Sequence, residues 1–187
     1  MNKNRCPWAV NPLDIEYHDN EWGRETHNDQ MLFEYLILEG MQAGLSWSLI
    51  LKKRENFKRA FDNFDYNICA NYTDEYLESL RQDASIIRNK LKIYSVRKNA
   101  VAFLKVQKEF GSFDKYIWGF TDYKKINNKL ESYKDAASES ELSTRISKDL
   151  KKRGFSFVGS TIIYSYMQAI GMINDHEKGC FCYKECC

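Results

Sequence analysis

Apolar residues along this chain recur mostly at intervals of three and four, and no stretch alternates apolar and polar positions for long. That is the pattern of helices rather than strands. The first strong segment begins at Asp29, with Asn28 or Asp29 as its cap, and runs to Gly44. Leu32, Tyr35, Leu36 and Glu39 follow the i, i+3, i+4, i+7 rule, so a carboxylate lands on the apolar stripe. Met31, Phe33, Ile37 and Leu38 make the other side apolar as well; a helix apolar nearly all round belongs in the middle of a core. Further helices are predicted from about Ser46 to Phe61, from Thr73 to Arg81, and from Ile86 to Phe110, the last with Ile93, Val96, Ala100 and Phe103 at helical spacing. "SFDKYIWGF" (112–120) reads as a short apolar helix, and the Lys/Asn/Ser-rich stretch from Thr121 to Ser140 as a long surface excursion. Ser138 followed by Glu141 fits a capping box for a helix ending at Lys152. "GFSFVGS" (154–160) interrupts the pattern and "TIIYSYMQAIG" (161–171) resumes it. The expected class is all-α, in one domain over residues 1–187.

Composition narrows the picture. The chain has 187 residues and 43% hydrophobic content, enough for one sizeable core. No run of about 18 apolar residues occurs, so no transmembrane helix is expected. The stretch "MNKNRCPWAVNPLD" has no apolar signal core, which points to the cytoplasm. The net charge of +2 neither demands nor excludes a nucleic-acid partner. Positive charge does cluster in "LKKREN" (51–56) and "KDLKKRG" (148–154), as it also does on ordinary solvated helix faces. Six cysteines in a cytosolic chain read as thiols or metal ligands rather than disulfides.

Three places carry chemistry. "LKKRGFSFVGSTIIYSYMQAIG" (150–171) is helix, glycine-bounded turn, helix. Its second helix opens with free N–H groups near Lys151, Lys152 and Arg153, a local anion site suited to phosphate; an ordinary αα-hairpin has the same spacing. In "LEGMQAGLSW" (38–47), Glu39 on an apolar face needs either a structural partner or a cationic or hydrogen-bonding guest. With Tyr17, Trp8, Trp22 and Trp47 it would form a flat, π-rich slot for a planar, electron-poor heterocycle. Finally, Cys6 and His18 near one end and His176 and Cys180 near the other make two sulfurs and two imidazoles, a set for structural tetrahedral Zn²⁺. Cys182, Cys186 and Cys187 compete for the same role, and spacing alone does not exclude Cys182.

From "RCPW" (5–8) to "NDHEKGCFCY" (174–183), through "YHDNEWG", "LEGMQAGLSW", "LKKREN", "DASIIRNKLKI" and the glycine-bounded hairpin, the chain resembles the type I 3-methyladenine DNA glycosylases. These are a branch of the helix-hairpin-helix DNA repair superfamily. The resemblance implies a helix-hairpin-helix at 145–171 and a zinc staple joining the ends at 5–18 and 176–180, with Cys6, His18, His176 and Cys180 as ligands. It implies Tyr17 and Glu39 as hydrogen-bonding groups of a base pocket walled by Trp47, Trp22 and Trp8, with Glu39 also catalytic. Gly44 and Leu45 would fill the gap left by a flipped nucleotide, while Gly154, Gly159, Ser160, Lys151 and Lys152 hold the backbone. The implied activity is removal of 3-methyladenine from alkylated double-stranded DNA by a cytoplasmic monomer, with the free base as product. One position departs from the pattern: an often aromatic site is Asp14 here, which puts one pocket wall in doubt. No carboxylate follows Thr161 before Asp175, so the hairpin Asp of many superfamily relatives is missing.

Overall fold

The computed structural model describes residues 3–187. Its helices are α1 (Pro12–Asn20), α2 (Asp29–Gln42), α3 (Trp47–Ala60), α4 (Tyr66–Cys69), α5 (Asp74–Leu80), α6 (Lys90–Phe110), α7 (Phe113–Trp118), α8 (Glu141–Lys152) and α9 (Ser160–Ala169). Two-residue strands β1 (Ile126–Asn127) and β2 (Ile173–Asn174) pair in parallel, Ile126 opposite Ile173.

Helix α2 is central, as its all-round apolarity predicts: α3, α6, α7 and α9 all pack on it, and residues from Leu32 to Met41 are almost continuously buried. Its cap is Asn28, whose side chain accepts from Met31 N–H. Ser46 caps α3 and Thr73 caps α5, so each helix begins one residue after its predicted start. Helix α6 begins at Lys90 rather than Ile86, because Asn89 takes the extended cap conformation and accepts from Lys92 N–H.

Two expectations are corrected, and two helices went unforeseen. The capping box at α8 is Ser140 with Ser143, not Ser138 with Glu141; each side chain bonds the other's backbone N–H. In "YHDNEWG", Tyr17 to Asn20 form the last turn of α1, a helix the sequence pattern did not predict, which starts on Pro12 after the Asn11 cap. No apolar periodicity marks this helix, because its buried residues are Asp14, Tyr17 and His18. Helix α4 also went unforeseen; Asp65 caps it and only Cys69 of its four residues is buried. Lastly, 121–140 is no free excursion: β1 binds it to the C-terminal segment, and Lys178 N–H donates to Leu130 O at 2.9 Å. Among the described residues, no helix is long and apolar enough to cross a membrane.

Candidate active site and metal cluster

Trp8, Tyr17, Trp22, Glu39, Gln42, Trp47, Tyr133, Ser165 and Gln168 enclose a cavity of about 170 Å³. Trp8 meets Trp22 edge to face at 5.0 Å between ring centroids, and Tyr17 lies 5.1 Å from Trp47. All five predicted slot residues are therefore brought together, from α1, α2, the start of α3 and the chain flanking α1.

The slot leaves polar atoms unpaired. Among the described residues, five buried side-chain polar atoms have no hydrogen-bond partner, and four belong to its lining: Trp8 Nε1, Tyr17 Oη, Glu39 Oε2 and Trp47 Nε1. Leaving a buried polar group unpaired costs about 1–3 kcal/mol, and native proteins rarely gather several in one place. Glu39 has no cationic neighbour either, and burial alone pushes its carboxyl up to about 8. That argues against the structural alternative for Glu39, a helix cap or an arginine partner: Arg54 pairs instead with Glu21 and Glu34, each at 2.7 Å.

The fifth unpaired atom is His176 Nε2, in a second cluster. The ligand atoms of His18, His176, Cys180 and Cys182 all lie within 4.8 Å of one another. His18 Nε2 is 3.4 Å from Cys180 Sγ, and Cys6 N–H also reaches it at 3.4 Å. The Cys6 thiol and His18 push the Cys180 thiol down, favouring its thiolate. Both imidazoles have Nδ1 on an oxygen, Asp19 Oδ1 at 2.9 Å and Asn174 Oδ1 at 3.0 Å, which turns both Nε2 atoms inward. Three of the four predicted ligands, His18, His176 and Cys180, meet here, but Cys182 stands in the tight group where Cys6 was expected, and Cys6 approaches it through its backbone N–H on His18.

Tyr17 and His18 stand side by side in the polar segment "YHDNEWG". As successive residues of α1 they serve two sites, Tyr17 the slot and His18 the cluster. Gly23 completes the arrangement: a Cβ there would lie 2.6 Å from His176 Cε1, so only glycine admits the ring.

The hairpin between α8 and α9 is clamped from behind. Asn99 of α6 donates to Ser156 O at 3.0 Å and accepts from Ser156 N–H at 2.8 Å. Gly154 has φ +98°, whereas Gly159 has an ordinary φ and open space where a side chain would stand. Helix α9 starts without any side-chain cap, leaving its N-terminal N–H groups to a partner. Ser160 Oγ donates to the Glu139 carboxylate. Lys151 and Lys152 are exposed. Arg153, read with them, is instead tied to Glu109 and Asp149 and lies over Phe110. Gly44, with φ +75°, and Leu45 sit exposed at the turn from α2 to α3.

Comparison with known proteins decides what this assembly is. A profile of the methyladenine glycosylase family matches residues 8–183. The chain belongs to that family. It is accordingly an enzyme, a hydrolase of N-glycosyl bonds. It is 44% identical over 180 residues to DNA-3-methyladenine glycosylase 1 of Escherichia coli (strain K12), spanning 96% of both chains. It superposes on a crystal structure of 3-methyladenine DNA glycosylase I with a TM-score of 0.94 at 44% identity, over 96% of this chain and 100% of that one. A tyrosine-to-phenylalanine variant of a 3-methyladenine DNA glycosylase I, solved with 3-methyladenine, matches at 0.93 and 32% identity, over 95% of this chain and 96% of that one.

Within this glycosylase, sequence reading missed Gln42, Tyr133, Ser165 and Gln168 of the slot. Tyr133 comes from the stretch read as a surface excursion and carries no local signal. Gln168 did carry one: it is a polar residue in the apolar "TIIYSYMQAIG", the same anomaly that exposed Glu39. The doubt over Asp14 also resolves. It is 4% exposed and absent from the slot lining, and its carboxylate accepts from Ser48 Oγ at 2.8 Å and Asn11 Nδ2 at 2.5 Å. Asp14 fastens α1 to the start of α3, next to Trp47.

Proposed function

We propose that the slot receives a flipped-out 3-methyladenine and that the enzyme hydrolyses its bond to deoxyribose in alkylated duplex DNA, leaving an abasic site. The carrying observation is the unpaired Trp8 Nε1, Tyr17 Oη, Glu39 Oε2 and Trp47 Nε1 around one aromatic slot. They are donors and acceptors that only a guest can satisfy. Flipping costs a few kcal/mol, which stacking on Trp47 and Tyr17 and pairing of these atoms offset. Methylation at N3 leaves the base cationic in DNA, so it departs without being protonated. Glu39, the one carboxyl lining the slot among the described residues, binds the base edge and gives up its proton to face positive charge. Asp175 is no substitute, since it is engaged by Gln168, Tyr164 and Asn128.

The α8–α9 turn serves as the helix-hairpin-helix, holding a phosphate on the uncapped start of α9 with Lys151 and Lys152 nearby. Gly44 and Leu45 occupy the gap in the stack. Structural Zn²⁺ would be held by His18, His176 and Cys180 with Cys6 as the fourth ligand and Cys182 as its competitor; two inward Nε2 atoms and a Cys180 sulfur that favours its thiolate support the fit. Bound there, the metal would tie the two ends of the chain; it takes no part in the reaction. We take the enzyme to act in the cytoplasm as a monomer. Release of free 3-methyladenine from alkylated duplex DNA tests the whole reading. Its absence with folded protein would defeat it.

A further inference from the structure

Gln168 lies in α9, 6% exposed, one turn beyond Ser165 on the wall of the slot. Its Nε2 donates to Asp175 Oδ2 at 2.7 Å. Asp175 also accepts from Tyr164 Oη at 2.9 Å and from Asn128 Nδ2 at 2.6 Å. Tyr164 Oη in turn accepts from Asn128 at 3.1 Å, so its one hydrogen is left for Asp175. A carboxylate surrounded by donors can only accept. The amide of Gln168 must therefore present its NH₂ end to Asp175, and a flipped amide would set oxygen against oxygen. No described donor reaches Gln168 Oε1, and it is not among the sealed, partnerless atoms. We propose that Gln168 is a specificity-determining residue, its Oε1 held toward the slot by Asp175 to accept from the exocyclic amine of the base.

The chemistry of the slot needs such a group. Adenine carries an NH₂ donor where guanine and hypoxanthine carry a carbonyl acceptor. Glu39, whose carboxyl is neutral in the empty site, offers both a donor and an acceptor, so by itself it tolerates either base. An amide oxygen of fixed orientation accepts only. An amine also has two hydrogens, and one carboxyl oxygen uses one of them. The second acceptor separates an amino base from an oxo base, because a carbonyl facing Oε1 would be buried against another acceptor.

The inference rests on the base-slot reading, and the test separates the two. Free 3-methyladenine and free 3-methylhypoxanthine, which has a carbonyl in place of the amine, are titrated into the full-length protein with tryptophan fluorescence as readout. Gln168→Met removes the acceptor at similar volume. Affinity for 3-methyladenine should fall about tenfold or more, while that for 3-methylhypoxanthine should not fall, so the ratio drops. Asp175→Asn, which keeps Gln168 but lets its amide turn, should lower the same ratio less, and it carries the test if Gln168→Met does not fold. An unchanged ratio in the folded variant, or equal loss for both bases, overturns the proposal. If Glu39→Gln and Trp47→Ala also leave 3-methyladenine affinity unchanged, the slot reading itself fails. If they weaken it and the ratio stays fixed, only the role of Gln168 falls.

Discussion

Lys92 and Ala43 are remote in sequence, yet Lys92 Nζ donates to Ala43 O at 2.7 Å and to Met41 O at 2.8 Å. A buried ammonium on α6 thus closes the C-terminal end of α2, where unpaired carbonyls and the negative end of the helix dipole gather. The turn carrying Gly44 and Leu45 starts from this cap. Lys92→Met should cost about 2 kcal/mol in denaturant unfolding. It should slow excision from duplex DNA more than it weakens binding of free base. Equal effects on both would mean the cap does not act through that turn.

Glu39 ties stability to pH. Its carboxyl titrates at about 8 in the folded protein, against an ordinary value of 4.5. Between these values the folded state keeps a proton that the unfolded chain has lost, so stability falls as pH rises through the window, by a few kcal/mol at order of magnitude. Glu39→Gln has no such proton and should gain in melting temperature relative to wild type from pH 5 to pH 8. The same variant should bind free 3-methyladenine more weakly. A melting difference that is flat with pH would contradict the buried, unpartnered carboxyl.

Excision should carry the same signature. If the ionised form of Glu39 acts on the cationic base, kcat/KM on alkylated DNA rises with pH toward about 8, since this parameter reports the free enzyme. That rise should vanish in Glu39→Gln.

Metal content separates the competing sulfurs. The protein should hold about one Zn²⁺ per chain, and chelation should lower its melting temperature. Cys180→Ala should lose both metal and stability. Cys6→Ala and Cys182→Ala, assayed side by side, show which sulfur completes the set: metal loss in the first alone matches the proposed ligands, and loss in the second alone assigns Cys182.

Gly159 offers a clean test of the hairpin, because its φ is ordinary and a Cβ meets nothing within 4 Å. Gly159→Val should fold normally and weaken binding to duplex DNA regardless of the damaged base, as phosphate contacts position rather than specify. Lys152→Ala should lessen the salt dependence of binding by about one counterion.

Local pattern by itself determined the helices from α2 onward except α4, and much of the chemistry. Residues 29–42 read as central because burial demands apolar side chains on every face of a helix, and Glu39 stood out because a carboxylate there is costly. The cap at Asn28 and the helix starts near Ser46 and Thr73 were legible, because capping needs a small polar side chain at the first turn. Tertiary structure decided the rest. Helix α1 shows no periodicity because its inward face, Asp14, Tyr17 and His18, is matched to remote partners rather than to a common apolar core. Tyr133 reaches the slot only because β1 pairs with β2, a contact between segments remote in the chain. Whether Asp14 walled the pocket or braced it turned on Ser48, and which way the Gln168 amide points turned on Asp175; sequence names these residues, but hydrogen-bond partners are set by distance and direction in the folded chain.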